Sequence, residues 1–178
     1  MEIRALEPAD LALLSEIDRS ELIKVQYEVV DGDLVVRDDL FAVPPWNPEG
    51  TGPHSVGAMR GSLEPILHRG AVLLGAFKGD DVAGMAVVEP RFEPPMAWLT
   101  FLHVSRPYRR MGVASTLWEE SVRRALEAGA TSLYVSATPS GSAVGFYLSR
   151  GCVVTQTPHP DLLAEEPEDI HFTCNLGR

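Results

Sequence analysis

The residues best suited to chemistry crowd into one run, Val104-Ser105-Arg106-Pro107-Tyr108-Arg109-Arg110-Met111-Gly112-Val113-Ala114, with three arginines and a glycine just ahead of a helical pattern. The first turn of a helix carries backbone N–H groups without intrahelical partners and a partial positive charge, and a glycine there lets a phosphate approach the main chain closely. Cations are mildly disfavoured at that end of the dipole, so three of them in place point to an anion. The usual nucleotide fingerprints do not occur. There is no G-x-G-x-x-G, and Gly70-x-x-x-x-Gly75 is followed by Ala76-Phe77 where a P-loop needs lysine and a hydroxyl residue.

Such a site needs a strand leading in and a helix leading out. Ala97 to Val104 is almost continuously apolar, the pattern of a central strand covered on both faces. Gly112 to Ala128 reads as a helix, with Val113, Ala114, Leu117, Trp118, Val122, Ala125 and Leu126 on one stripe and Gly129 at the C-terminal cap. Its outer face sets Glu119 before Arg123 and Glu120 before Arg124. Thr131 to Ala137 is the next strand, so Ala97 to Ala137 forms a βαβ unit with parallel strands, and ligands sit beyond the carboxyl ends of such strands.

The flanks read as alternating strands and helices. Ala71 to Phe77, the Lys78-Gly79-Asp80-Asp81 turn and Val82 to Val88 form a hairpin; Ser142 to Ser149 is a short helix; Cys152 to Thr157 and Asp169 to Leu176 are strands. In the last, Ile170, Phe172, Cys174 and Leu176 face inward while His171, Thr173 and Asn175 face out. His171 and Cys174 therefore point to opposite faces and make no metal pair, and no metal is expected. Upstream, Met1 to Leu6 is a strand, and Pro8 to Asp18 an amphipathic helix carrying Leu11, Leu14 and Ile17. A β-ribbon turns at Asp31-Gly32, and with the Pro-rich connection from Val43 to Pro53 it occupies about 25–55. Val56 to Arg69 is helical but carries Pro65, which predicts a split or kink.

Arg109-x-x-Gly112-x-Ala114, five residues after Val104, resembles the pyrophosphate loop of the GNAT family, the acetyl-CoA-dependent N-acetyltransferases. The later run Ser140-Gly141-Ser142-Ala143-Val144-Gly145-Phe146-Tyr147-Leu148-Ser149-Arg150-Gly151-Cys152 resembles the same family's Asn-x-x-Ala-x-x-Phe/Leu-Tyr-x-x-x-Gly-Phe stretch, with Ser140 in place of asparagine and Cys152 in place of phenylalanine. The resemblance covers about Ala71 to Cys152. It implies one N-acetyltransferase domain over 1–178, an α/β (α+β) fold with a central mixed, mostly antiparallel sheet and helices on both faces. Acetyl-CoA would be the cosubstrate and a primary amine of a small molecule or peptide the acceptor.

The implied site residues follow from the matching positions. Backbone N–H groups of Arg110, Met111, Gly112, Val113, Ala114 and Ser115 would cradle the pyrophosphate, with Arg109 a further cofactor-binding residue. Leu102, His103 and Val104 would pair with the pantetheine arm as an added strand, and the N–H near Val104 would stabilise the oxyanion. Ser140 would be a weakened cofactor contact, and Tyr147 both a cofactor contact and the general acid for the departing thiolate. The general base stays open. Positions where family members carry glutamate are here Trp98 and Val135, which leaves His103, Glu89, His68, Glu21 or a water chain. The missing glutamates keep a non-catalytic acyl-CoA-binding or sensor module as the rival reading.

Composition bounds the rest. A chain of 178 residues with 45% hydrophobic and 22% charged residues is one ordinary globular domain. A net charge of -10 argues against nucleic acid as a partner, while acidic stretches at Asp31 to Asp39 and Asp161 to Asp169 read as solvated loops able to attract a cationic amine. No apolar stretch reaches the roughly 20 residues that span a bilayer. Two cysteines, Cys152 and Cys174, read as buried structural thiols and imply no staple. A cytoplasmic protein, possible as a homodimer, is the resulting expectation.

Overall fold

In the computed structural model, which describes residues 1–37, 40–50 and 52–177, the chain forms β1 (Glu2–Leu6), a 3-10 helix (Pro8–Glu16), β2 (Glu21–Ile23), β3 (Gln26–Val30), β4 (Asp33–Arg37), β5 (Phe41–Val43) and α1 (Val56–His68). It continues with β6 (Val72–Lys78), β7 (Asp81–Glu93), β8 (Met96–Val104), a short 3-10 turn (Arg106–Tyr108), α2 (Val113–Glu127) and β9 (Ser132–Ala137). The last elements are α3 (Gly141–Ser149), β10 (Val153–Val154), α4 (Pro160–Glu165) and β11 (Ile170–Asn175). Asp38 and Asp39, in the first acidic stretch, lie outside the described residues.

Seven strands form one sheet in the order β1-β6-β7-β8-β9-β11-β10, antiparallel except for the β8–β9 pair. The sheet is thus mixed and mostly antiparallel. Strand alternation sends Leu74, Ala86, Val88, Leu99, Val135 and Phe172 toward α2 and α3, and Leu73, Met85, Val87 and Phe101 toward α1 and the first 3-10 helix. Gly84 permits the close packing of β7 on α2, since a β-carbon there would sit 2.8 Å from the His103 carbonyl oxygen and 3.1 Å from a Val113 methyl. Among the described residues no helix is long and apolar enough to cross a membrane.

Several expectations are corrected. Pro8–Glu16 is 3-10, not α, and a spacing of three at Leu11, Leu14 and Ile17 is the period at which 3-10 side chains eclipse. Pro65 does not split α1, because the carbonyl it would leave unpaired belongs to Gly61, which is exposed to solvent, and Ser55 caps the start by accepting the Ala58 N–H at 3.0 Å. His171 is not outward in the sense of solvated; the segment carrying α4 covers its face and leaves it 3% exposed. Cys152 and Cys174 are not free thiols but a disulfide, because the Val153↔Thr173 pairing places their neighbours side by side on antiparallel strands.

Candidate active site

β8 and β9 are hydrogen-bonded only from Met96↔Ser132 to Leu99↔Val135. A bulge sits at Thr100, since Val88 pairs with Leu99 and Val87 with Phe101, and a bulge bends the strand that carries it. Beyond it Leu102, His103 and Val104 keep their β7 partners Ala86, Met85 and Gly84, while their other edge meets no strand among the described residues. A row of main-chain groups is left along that edge, one of them, the Val104 carbonyl, taken by the Arg109 guanidinium.

The chain leaves β8 through the 3-10 turn, passes Arg110 at φ 64° and enters α2 at Gly112, whose φ is 84°. Gly112 is the N-cap and supplies no side-chain cap, so the first N–H groups of α2, on Val113, Ala114 and Ser115, have no acceptor among the described residues. A β-carbon built on Gly112 would meet nothing within 4 Å. Exposed Arg110 and Met111 flank this cradle, but Arg109 turns away. Its guanidinium donates to the carbonyls of Val104 (3.2 Å), Ser20 (2.9 Å) and Arg19 (2.9 Å) and lies 3.6 Å from the Glu21 carboxylate.

Across the opening Ser140 is the buried N-cap of α3, its Oγ accepting the Ala143 N–H at 3.2 Å and lying 3.1 Å from the Ser142 hydroxyl. Its hydroxyl therefore serves the helix. Tyr147 packs among Trp118, Phe146 and Phe172 with ring centroids 5.3 to 5.8 Å away, and its hydroxyl has no hydrogen-bond partner among the described residues. Burial, with the Asp169 charge added, pushes this phenol well above its ordinary value, so it holds its proton at neutral pH.

Residues 42–152 match the family model described as the Acetyltransferase (GNAT) family. The chain belongs to the GNAT family. No curated protein matches it by sequence. Among solved structures, nourseothricin acetyltransferase superposes with a TM-score of 0.67 at 16% identity over 98% of both chains. A Bacillus anthracis str. Ames protein described as a streptothricin acetyltransferase, in complex with acetyl coenzyme A, gives 0.68 at 18% identity over 97% of this chain and 95% of its own. The PaiA N-acetyltransferase of Thermoplasma acidophilum, in complex with coenzyme A, gives 0.62 at 17% identity over 98% of both.

In this GNAT protein the N-terminal residues 18–27 strap the two lips of the opening together. The Asp18 N–H donates to Ser105 Oγ (3.0 Å), and the Arg106 N–H to the Asp18 carbonyl (2.8 Å). On the other lip the Tyr27 N–H reaches the Pro139 carbonyl (2.9 Å), the Gly141 N–H reaches the Val25 carbonyl (2.8 Å), and Ser142 Oγ donates to Glu21 (2.7 Å). Of the four side chains weighed as bases, the strap brings in Glu21. His103 is at hand too, its ring 5.0 Å from Trp46 and 4.7 Å from Phe101, but burial and the charges of Arg19 and Arg109 lower it to about 4. Glu89 lies at the far end of β7, opposite Trp98, bound by Arg69 at 3.3 and 3.0 Å, and His68 is exposed at the end of α1.

Two features escaped sequence reasoning. Trp46, from the Pro-rich connection, is 5% exposed and stacks 5.9 Å from Phe101 with the Arg19 guanidinium 5.4 Å above its ring. A large aromatic between prolines in a polar loop was the available signal. Tyr134 and His171 form a buried pair at 2.7 Å. Nothing in their spacing marks it, because the partners meet only through the β9–β11 pairing.

Proposed function

We propose that this protein binds acetyl-CoA and transfers its acetyl group to a primary amine of a small molecule or peptide, by direct attack within a ternary complex. The observation that carries this reading is the uncapped first turn of α2 standing beside the open edge of β8. One offers orphan N–H groups to a pyrophosphate, the other a strand edge to an amide-bearing arm. The residues fit that ligand: Gly112 leaves the space in front of the donors clear, and Leu102, His103 and Val104 present their free edge toward the gap. Bound acetyl-CoA supplies the thioester.

The protein's own groups then govern charge and protons. The amine, with a reference pKa near 10.4, must lose a proton before or during attack. A backbone N–H near Val104 meets the oxygen on which charge develops, and Tyr147 gives its proton to the departing thiolate as the C–S bond breaks. Calorimetry with acetyl-CoA, followed by release of free CoA across an amine panel, tests the reading. Two fold neighbours are named for nourseothricin and streptothricin, so both belong in the panel beside peptides. Tight binding with no turnover for any amine would favour the non-catalytic module instead.

A further inference from the structure

Arg19, in the strap, is a half-buried cation without a counter-charge. Its Nε donates to the Pro44 carbonyl at 3.1 Å, and its guanidinium lies over the Trp46 ring, 5.4 Å from the centroid. Its Nη1 and Nη2 groups meet no acceptor and no carboxylate among the described residues. Neither nitrogen is sealed in the interior, so both are open to a ligand.

The strap's own acids are engaged elsewhere. Asp18 Oδ1 accepts the Ser20 N–H at 2.9 Å, and Glu21 accepts the Ser142 hydroxyl at 2.7 Å and lies 3.6 Å from Arg109. Burial alone acts on the Arg19 guanidinium and holds it below its ordinary value, whereas the arginines bonded to Glu2, Glu89 and Glu120 are raised. A guanidinium stays charged even so. In a chain of net charge -10, a half-buried cation that no carboxylate answers is a place that the anion of a ligand completes.

The position of this cation decides which ligand. Trp46, under the guanidinium, stacks on Phe101 of β8 and lies 5.0 Å from the ring of His103, whose main chain borders the gap proposed for the thioester. Arg19 stands close enough to the His103 ring for its charge to lower that ring's proton affinity. Strand alternation puts Phe101 on the side of β8 away from α2, and His103, two residues on, shares that side. The diphosphate has its own donors on the α2 side, so an anion at Arg19 belongs to the acceptor. We infer that Arg19 sets acceptor specificity: the amine acetylated by this protein carries a carboxylate, held by the Nη1–H and Nη2–H fork in a bidentate pair. Because the fork and the gap share His103 as a neighbour, the carboxylate and the amine are few bonds apart, as in an amino acid. The inference rests on the acetyl-transfer reading above.

The test is CoA release with amino acids bearing the amine at the α, β, γ or ε carbon, each beside its carboxamide, for wild type, Arg19→Gln and Arg19→Lys. Wild type is expected to favour one acid over its carboxamide by about 30-fold or more in kcat/KM, since hydrogen bonds between charged groups are the strong ones. Arg19→Gln is expected to raise KM for that acid about 30-fold with a smaller change in kcat, bringing the ratio of acid to carboxamide close to one. Arg19→Lys keeps the charge and loses the fork, so it recovers part of the ratio. Acetyl-CoA affinity stays the same in all three. A wild type that acetylates amines with no preference for a carboxylate overturns the inference and leaves the transfer reading standing. A ratio that survives Arg19→Gln overturns it too. Should the variants fail to fold, competition decides: the same carboxylic acid lacking its amine must inhibit wild type against the amine and not against acetyl-CoA, and absence of inhibition overturns the assignment. A wild type that binds acetyl-CoA yet acetylates no amine removes the transfer reading, and this inference falls with it.

Discussion

The two sides of β8 are built in opposite ways. On the α2 side, everything proposed to hold the cosubstrate's diphosphate and pantetheine arm lies within one continuous stretch, Leu102 to Ser115, and almost all of it is main chain. On the other side Arg19, Trp46 and His103 come from three separate segments and meet through their side chains. A group common to every reaction of a family can be bound by backbone geometry. An acceptor that differs between members must be read by side chains, which distant insertions supply without disturbing the cradle.

The largest effect expected from this contrast is at Gly112. Gly112→Glu places a carboxylate and bulk in front of the α2 donors, at a φ of 84° that costs a side chain about 1–2 kcal/mol. Acetyl-CoA affinity should fall by at least about 3 kcal/mol, or ~100-fold, while the melting transition remains cooperative. Calorimetric affinity equal to wild type would show that α2 does not hold the diphosphate.

Next comes Tyr147, packed in the core on the α2 side of the sheet. Tyr147→Phe keeps the packing on Trp118 and Phe172 and removes only the hydroxyl, so kcat should fall about 100-fold with acetyl-CoA affinity unchanged. Equal turnover would move the general acid elsewhere. Trp46→Ala probes the non-local side. Loss of a buried indole should destabilise the fold by about 3 kcal/mol in denaturant titration, and in the surviving folded protein should raise KM for the amine but not affinity for acetyl-CoA. A change in acetyl-CoA affinity instead would mean the two sides are not separable.

The same contrast explains which features are legible in the amino-acid sequence and which are not. The β8-to-α2 run is legible because its signals are local: a doubly buried apolar strand, a helix stripe and a glycine with open space before the donors. Tyr147 is named only through the resemblance of the Ser140-to-Cys152 run to the family's stretch, since on its own a tyrosine on a short helix reads as a packed aromatic. Glu21 can be named from sequence but not placed, because only the strap's bonds to Ser105, Pro139 and Ser142 bring it to the opening. For His171 the period-two alternation gives the correct face and the wrong exposure, since the covering segment is itself irregular. The disulfide depends on a register between β10 and β11 that spacing does not encode.

The smallest predicted effect is at His103, the one residue belonging to both sides: its main chain borders the cosubstrate gap while its ring packs on Trp46. Burial, then Arg19 and Arg109, lower its folded value to about 4, below the roughly 6.5 of an unfolded histidine. The folded state therefore favours the neutral ring, so this contribution to stability is complete above about pH 6.5 and is lost as pH falls toward 4. His103→Gln removes the titration. Measured by denaturant, the gap between wild type and His103→Gln should be constant above about pH 7 and move against wild type by about 2 kcal/mol on going down to pH 4. A gap that stays constant across that window would mean that water reaches the ring and solvates its charge, and Trp46 would then not seal this side of β8.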